Sequence, residues 1–166
     1  FKQVVEENGV VVSYIHAGGR IGVLVDVETD VVNDAVKEMG KNIAMQITAM
    51  KPVYTNDSEV DEEYKAHELE IIKSQIENDP KMAGKPEKVI NGAIMGRLNK
   101  QLKEICLLDQ VYVKAEDGKQ SVAAYVAQVA KANNAKVVVK GFVRFETGEG
   151  MEKKNEDFAA EVAAQM

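Results

Sequence analysis

The stretch from Val10 to Val27 constrains this chain more than any other, because it reads as two strands folded back on a glycine pair. On the first limb Val10, Val12, Tyr14 and His16 share one face, and Val11, Ser13, Ile15 and Ala17 the other, since side chains alternate with period two. On the second limb Ile21, Val23, Val25 and Val27 oppose Arg20, Gly22, Leu24 and Asp26, so the first set is the better core face. Gly18 and Gly19 take positive φ without steric cost, which a tight hairpin turn requires. Gly22 interrupts a strand and marks a bulge or a close backbone approach.

The period then changes. Val32, Val36, Met39, Ile43, Ile47 and Met50 recur every three or four residues, which predicts an amphipathic helix from Val32 to Met50. Asp30 or Asn33 caps it, Pro52 enforces its end, and Gly40 suggests close packing at its middle. Ser58 and Asp61 resemble a capping box opening a helix to about Asn78, with Val60, Tyr64, Leu69, Ile72 and Ile76 as a narrow apolar stripe. A turn carrying Pro80, Gly84 and Pro86 leads to a helix from Pro86 to Leu108, striped by Ile90, Ile94, Leu98, Leu102 and Ile105. Helices of about 20 residues are about 30 Å long, more than a body of this size needs, so the two stripes predict an antiparallel hairpin that projects.

Farther on, Val111 to Val113 reads as an extended segment, and Ser121 caps a helix from Val122 to Lys131 that ends at Asn133-Asn134. Val137 to Glu146 is the longest remaining strand. The expected fold is therefore α+β: an antiparallel sheet from Val4, Val10 to Ala17, Arg20 to Val27 and Val137 to Glu146, covered on one face by helices. The expected units are 1–57 (core sheet and helix), 58–108 (helical hairpin), 109–150 (the rest of the core) and 151–166 (a C-terminal module). In the last, Phe158 and Val162 share one side of a short helix.

Composition narrows function. A net charge of −6 with a pI near 5.1 argues against direct nucleic-acid binding, which relies on basic patches. No apolar run approaches the roughly 20 residues of a membrane span, and no secretory signal is visible. Cys106 is the only cysteine, which excludes an internal disulfide, makes the cytoplasm the natural compartment and, among apolar neighbours, reads as a buried small hydrophobe. The acidic run Asp57, Glu59, Asp61, Glu62 and Glu63 lacks the glycine and terminal glutamate of a calcium loop, and reads as a solvated first helical turn. His67 reads as a surface residue, and Gly148-Glu149-Gly150 as a turn. No phosphate-binding loop, His-Glu-x-x-His or nucleophile elbow is present, so the chain is not expected to be an enzyme, and neither cofactor nor metal is expected. His16, at a hairpin tip, either bonds locally or presents itself to a partner from a rigid sheet.

The run from Ser13 to Val25, reading Ser-Tyr-Ile-His-Ala-Gly-Gly-Arg-Ile-Gly-Val-Leu-Val, closely resembles the hairpin of the bacterial elongation factor Ts family. Gly96-Arg97-Leu98-Asn99-Lys100 running on to Glu104-Ile105-Cys106-Leu107-Leu108-Asp109-Gln110 agrees with it, as do Gly141 to Glu146, Gly148 to Gly150 and Asp157 to Val162. The resemblance implies a guanine-nucleotide exchange factor that associates with elongation factor Tu bound to GDP and acts in translation. It implies that His16 meets domain 3 of that partner and that Val113 and Lys114 occupy the position of a partner-facing pair, with Lys114 departing from the methionine of one member. It further implies that Phe158 reaches toward the partner's nucleotide-binding domain and that 58–108 is a coiled-coil or dimerisation module. The family's N-terminal helical domain and its Thr-Asp-Phe-Val segment do not occur in this sequence, which is thus expected to be a C-terminal piece of such a factor. The competing expectation is a structural or dimerisation module that self-associates, as in a homodimer, without exchange activity.

Overall fold

The computed structural model describes residues 2–151. The Val10–Val27 stretch forms β1 (Gly9–His16) and β2 (Ile21–Thr29), and a third strand, β3 (Val137–Glu146), closes the sheet in the order β1-β2-β3, antiparallel throughout. The tip is a tight turn over Ala17–Gly19, closed by the Arg20 N–H donating to the Ala17 carbonyl, in which Ala17, Gly18 and Gly19 all have positive φ. In register, Val12 opposes Val25 and Tyr14 opposes Val23, and on the far side Phe142 opposes Val25. The alternation expected of the second limb holds: Val23, Val25 and Val27 are buried.

That face is covered by α1 (Asp34–Met50) and α4 (Val122–Ala132). Asn33 caps α1 by accepting from the Val36 N–H, and Val36, Met39, Ile43, Ala44 and Ile47 enter the core. Gly40 is required there: a Cβ added to it would stand 2.5 Å from the Val12 Cγ2 of β1. The helix ends at Lys51, in the left-handed region at φ 48°, just before Pro52. Ser121 caps α4, whose Val122 and Val126 are buried.

The second pair, α2 (Glu62–Glu77) and α3 (Glu87–Ile105), builds its own core from Ile72, Ile76, Ile94 and Leu98, with Leu69, Ile90 and Leu102 packed beside them. These four residues belong to no cluster of the sheet body. A short parallel ladder fastens the base of the hairpin: Val53 and Tyr54 donate to the Ile105 carbonyl, Leu107 donates to that of Tyr54, and Leu108 to that of Thr55. Cys106 lies fully buried in this ladder, and its burial raises the thiol pKa to about 11, which keeps it unreactive.

Three expectations need correction. Val4 forms no strand: residues 2–6 cross the uncovered face of the sheet, with Lys2 above the Phe145 ring and Glu6 beside Lys140. The close backbone approach is at Gly9, where a Cβ would meet the Val27 carbonyl, and not at Gly22, around which there is open space. The sheet's irregularity lies between Asp26 and Val27, opposite Lys140. Ser58 and Asp61 form no capping box, because Asn56 accepts from Ser58 to cap a separate turn at Asp57–Glu59, and Asp61 precedes α2 without a side-chain cap.

Candidate functional site

His16 ends β1 on the helix-covered side of the sheet, exposed, with the Tyr14 hydroxyl 3.1 Å from its Nδ1 and the two rings 5.9 Å apart. Tyr14 in turn packs against the core, so the imidazole is held from below by a half-buried ring. The α1 helix runs toward this end of the sheet. Lys51, just past its last turn, lies 3.7 Å from Glu146, which pairs with Ile21, which pairs with His16. Two strand spacings of about 4.8 Å separate His16 from Glu146.

The second piece is the loop after the Leu107–Asp109 turn. Val111 bridges to Ser121, Tyr112 donates to the Gln120 carbonyl, and Val122 donates to that of Gln110. Tyr112 points inward, 5% exposed, and stacks on Tyr125 of α4 at 4.1 Å and an angle of 10°. Burial, and then the Tyr125 hydroxyl, push the Tyr112 phenol far above its ordinary pKa, so it stays neutral. Alternation about Tyr112 turns Val111 and Val113 outward, 50% and 48% exposed. Lys114 follows and reaches back to the Asn42 Oδ1 at 2.7 Å, while the Asn42 amide donates to the Tyr125 hydroxyl. A shallow cleft of about 510 Å³ opens beside these groups, edged by Glu116, Asp117 and Gln128.

The residue that sequence reasoning missed is Gln46. It lies on the apolar stripe of α1, fully buried, and its amide reaches into the loop. Its Nε2 donates to the Gln110 Oε1 and to the Val111 carbonyl, and its Oε1 accepts from the Val113 N–H. A glutamine between Met45 and Ile47 carries no sequence signal of a long-range partner.

Among the described residues, His16 makes no hydrogen bond to Val113 or Lys114; both pieces stand on α1 and the sheet it covers. Phe158 lies outside the described residues. His67 is exposed on α2. Among the described residues, no three His, Cys, Asp or Glu side chains converge as metal ligands, and no helix is long and apolar enough to cross a membrane. The surface offers an imidazole, two exposed valines and a lysine on a rigid support, which suits docking.

Comparison with known proteins places the chain in a family. The family Elongation factor TS matches residues 1–149. Elongation factor Ts of Clostridioides difficile (strain 630) is 48% identical over 159 residues, covering 96% of this chain and 50% of that protein. The Clostridium botulinum (strain Eklund 17B / Type B) protein of the same name is 46% identical over 166 residues, all of this chain and 53% of its own. That of Clostridium acetobutylicum is 45% identical over 166 residues, again all of this chain and 52% of its own. The chain spans about half the length of the curated relatives it matches. On the family match over residues 1–149 and these identities, the chain belongs to the elongation factor Ts family.

Proposed function

We propose that this chain carries the docking part of a cytoplasmic guanine-nucleotide exchange factor for elongation factor Tu, acting in translation and binding the GDP form of its partner through His16, Val113 and Lys114. The observation that carries this reading is the loop around Tyr112, which displays two valines to solvent from a backbone fixed on the core. Exposed apolar residues on a rigid loop are the kind of anchor that partner surfaces use. Such a factor does no covalent chemistry and needs no cofactor. It binds the nucleotide-free partner more tightly than the nucleotide-bound one, and linkage then weakens nucleotide binding by the same factor. Phe158, in the C-terminal segment, extends the contact toward the nucleotide-binding domain. The net charge of −6 fits a protein partner and no direct nucleic-acid contact.

A calorimetric titration of these 166 residues into elongation factor Tu bound to GDP, beside stopped-flow release of labelled GDP, tests the reading. Binding is expected with little acceleration of release, because the Thr-Asp-Phe-Val segment does not occur among them. Val113→Glu is expected to weaken binding by about 2 kcal/mol, roughly thirtyfold, by desolvating an unpaired charge at the contact. His16→Ala should cost about 1 kcal/mol. Unchanged affinity in a folded Val113→Glu protein would remove the loop from the interface. Release as fast as with a full-length relative would show the Thr-Asp-Phe-Val segment to be dispensable.

A second reading rests on Val89 and Met95 of α3 and Ile71 of α2, which stand exposed on the outside of the helical pair. They suit self-association of the hairpin. Light scattering of the chain alone and with the partner distinguishes a homodimer from a one-to-one complex.

A further inference from the structure

We propose that Gln46 is a positioning residue for docking: it sets the affinity for the partner through the loop it clamps, without touching the partner. The inference rests on the docking reading above. Gln46 is fully buried, so no partner reaches it, and any effect it has on binding must pass through the residues it bonds. Those bonds fall on the two backbone groups that flank Tyr112, the Val111 carbonyl at 3.0 Å and the Val113 N–H at 2.8 Å. Holding both fixes the rotation of the segment between them, with Tyr112 inward and both valines outward.

The third bond joins the clamp to the hairpin base. The Gln46 amide donates to Gln110, whose own amide donates 2.7 Å to the Glu104 carbonyl in the last turn of α3. A side chain with one donor group and one acceptor, anchored in a helix packed on the sheet, thus ties loop, hairpin base and core together. A core position on an apolar stripe would pack as well with methionine or leucine, and a buried amide costs free energy unless its polar atoms are satisfied. Here both are, by loop and loop-stem groups, so the amide's distinctive effect is on loop shape.

Amide hydrogen exchange on the unmodified chain is the first measurement. The Val113 amide should exchange at least about tenfold more slowly than the amides of the exposed Lys114 and Glu116 beside it, as its single part-buried bond to Gln46 predicts. Equal rates would overturn the clamp. The second is Gln46→Met, which keeps length and volume and loses all three bonds. With the fold intact by circular dichroism, it should speed Val113 exchange and weaken binding to elongation factor Tu bound to GDP about tenfold, as loss of preorganisation does. In that background Val113→Ala should cost less than about half of what it costs alone, because the two residues act through one contact. Additive costs would overturn the proposal. So would parent affinity in folded Gln46→Met while Val113→Glu still weakens binding. If Val113→Glu itself leaves binding unchanged, it is the docking reading that fails.

Discussion

Asp26 is the residue whose charge the fold handles least comfortably. It sits on the uncovered face of β2, where its Oδ1 is buried without a hydrogen-bond partner and its carboxyl meets that of Glu6, whose side chain is only 4% exposed. Burial first, and then the Glu6 carboxyl, raise the Asp26 pKa to about 6, against the pull of Lys140. Glu6 is held below the usual carboxylate range, chiefly by the Asn8 N–H and then by Asp26 itself. Lys140 also bonds Glu28, which pairs with Lys136, so two cations face three carboxyl groups. The sign follows from the raised pKa. Asp26 contributes stability below its unfolded pKa near 4, and that contribution is lost as pH rises through about 6. Asp26→Asn, able to donate to Glu6 at every pH, should therefore match the parent near pH 4 and exceed it at pH 7 by on the order of 1 kcal/mol, after solvent screening. Thermal melts of both proteins across that range check it, and a constant difference would dissociate the effect from Asp26 ionisation. None of this pairing was legible in the sequence, because Glu6 and Asp26 meet only when residues 2–6 fold over the sheet. Gln46 was illegible for a related reason: its partners lie 64 to 67 residues away and have no local pattern. His16 was legible, since a hairpin places its tip by local rules alone.

At the level of elements, what the sequence carried was periodicity. The switch from period two to 3.6 located β1, β2, β3, α1, α3 and α4 to within a few residues, and the matching stripes paired α2 with α3. What failed was punctuation. Val4 looked like a strand by its neighbours, but the pairing of β1 with β2 ends where Thr29 donates to the Asn8 carbonyl, and the chain before it turns away. The Ser58–Asp61 spacing looked like a capping box, but Asn56 captured Ser58 in a tighter local turn, as asparagine side chains do. Because the α2–α3 core is separate from that of the sheet, its stability should also be separate. Ile94→Ala removes a buried side chain from it, at a cost of about 2–4 kcal/mol. Hydrogen exchange should then accelerate through α2 and α3 while the amides of β2 keep their protection. Equal acceleration in β2 would show that hairpin and body unfold as one unit.

On the scale of the whole molecule, the two cores divide the work of the proposed function. His16, the Tyr112 loop and Gln46 all stand on the sheet body, while the exposed Ile71, Val89 and Met95 stand on the hairpin. The body is closed at the hairpin's base by the ladder between Val53–Thr55 and Ile105–Leu108, which needs nothing from the distal turns. Replacing residues 62–102 by a flexible linker of six glycines and serines, with an end-to-end reach of about 14 Å, should thus leave that ladder and the docking surface in place. The shortened protein is expected to melt cooperatively, to bind elongation factor Tu bound to GDP within about threefold of the parent, and to be monomeric by light scattering at any concentration where the parent self-associates. A threefold change is under 1 kcal/mol, less than the loss of one anchor residue, so the measurement separates a bystander hairpin from a contacting one. If the folded, shortened protein loses affinity a hundredfold, the hairpin itself is part of the contact, and the outward apolar residues on α2 and α3 face the partner rather than a second copy of this chain.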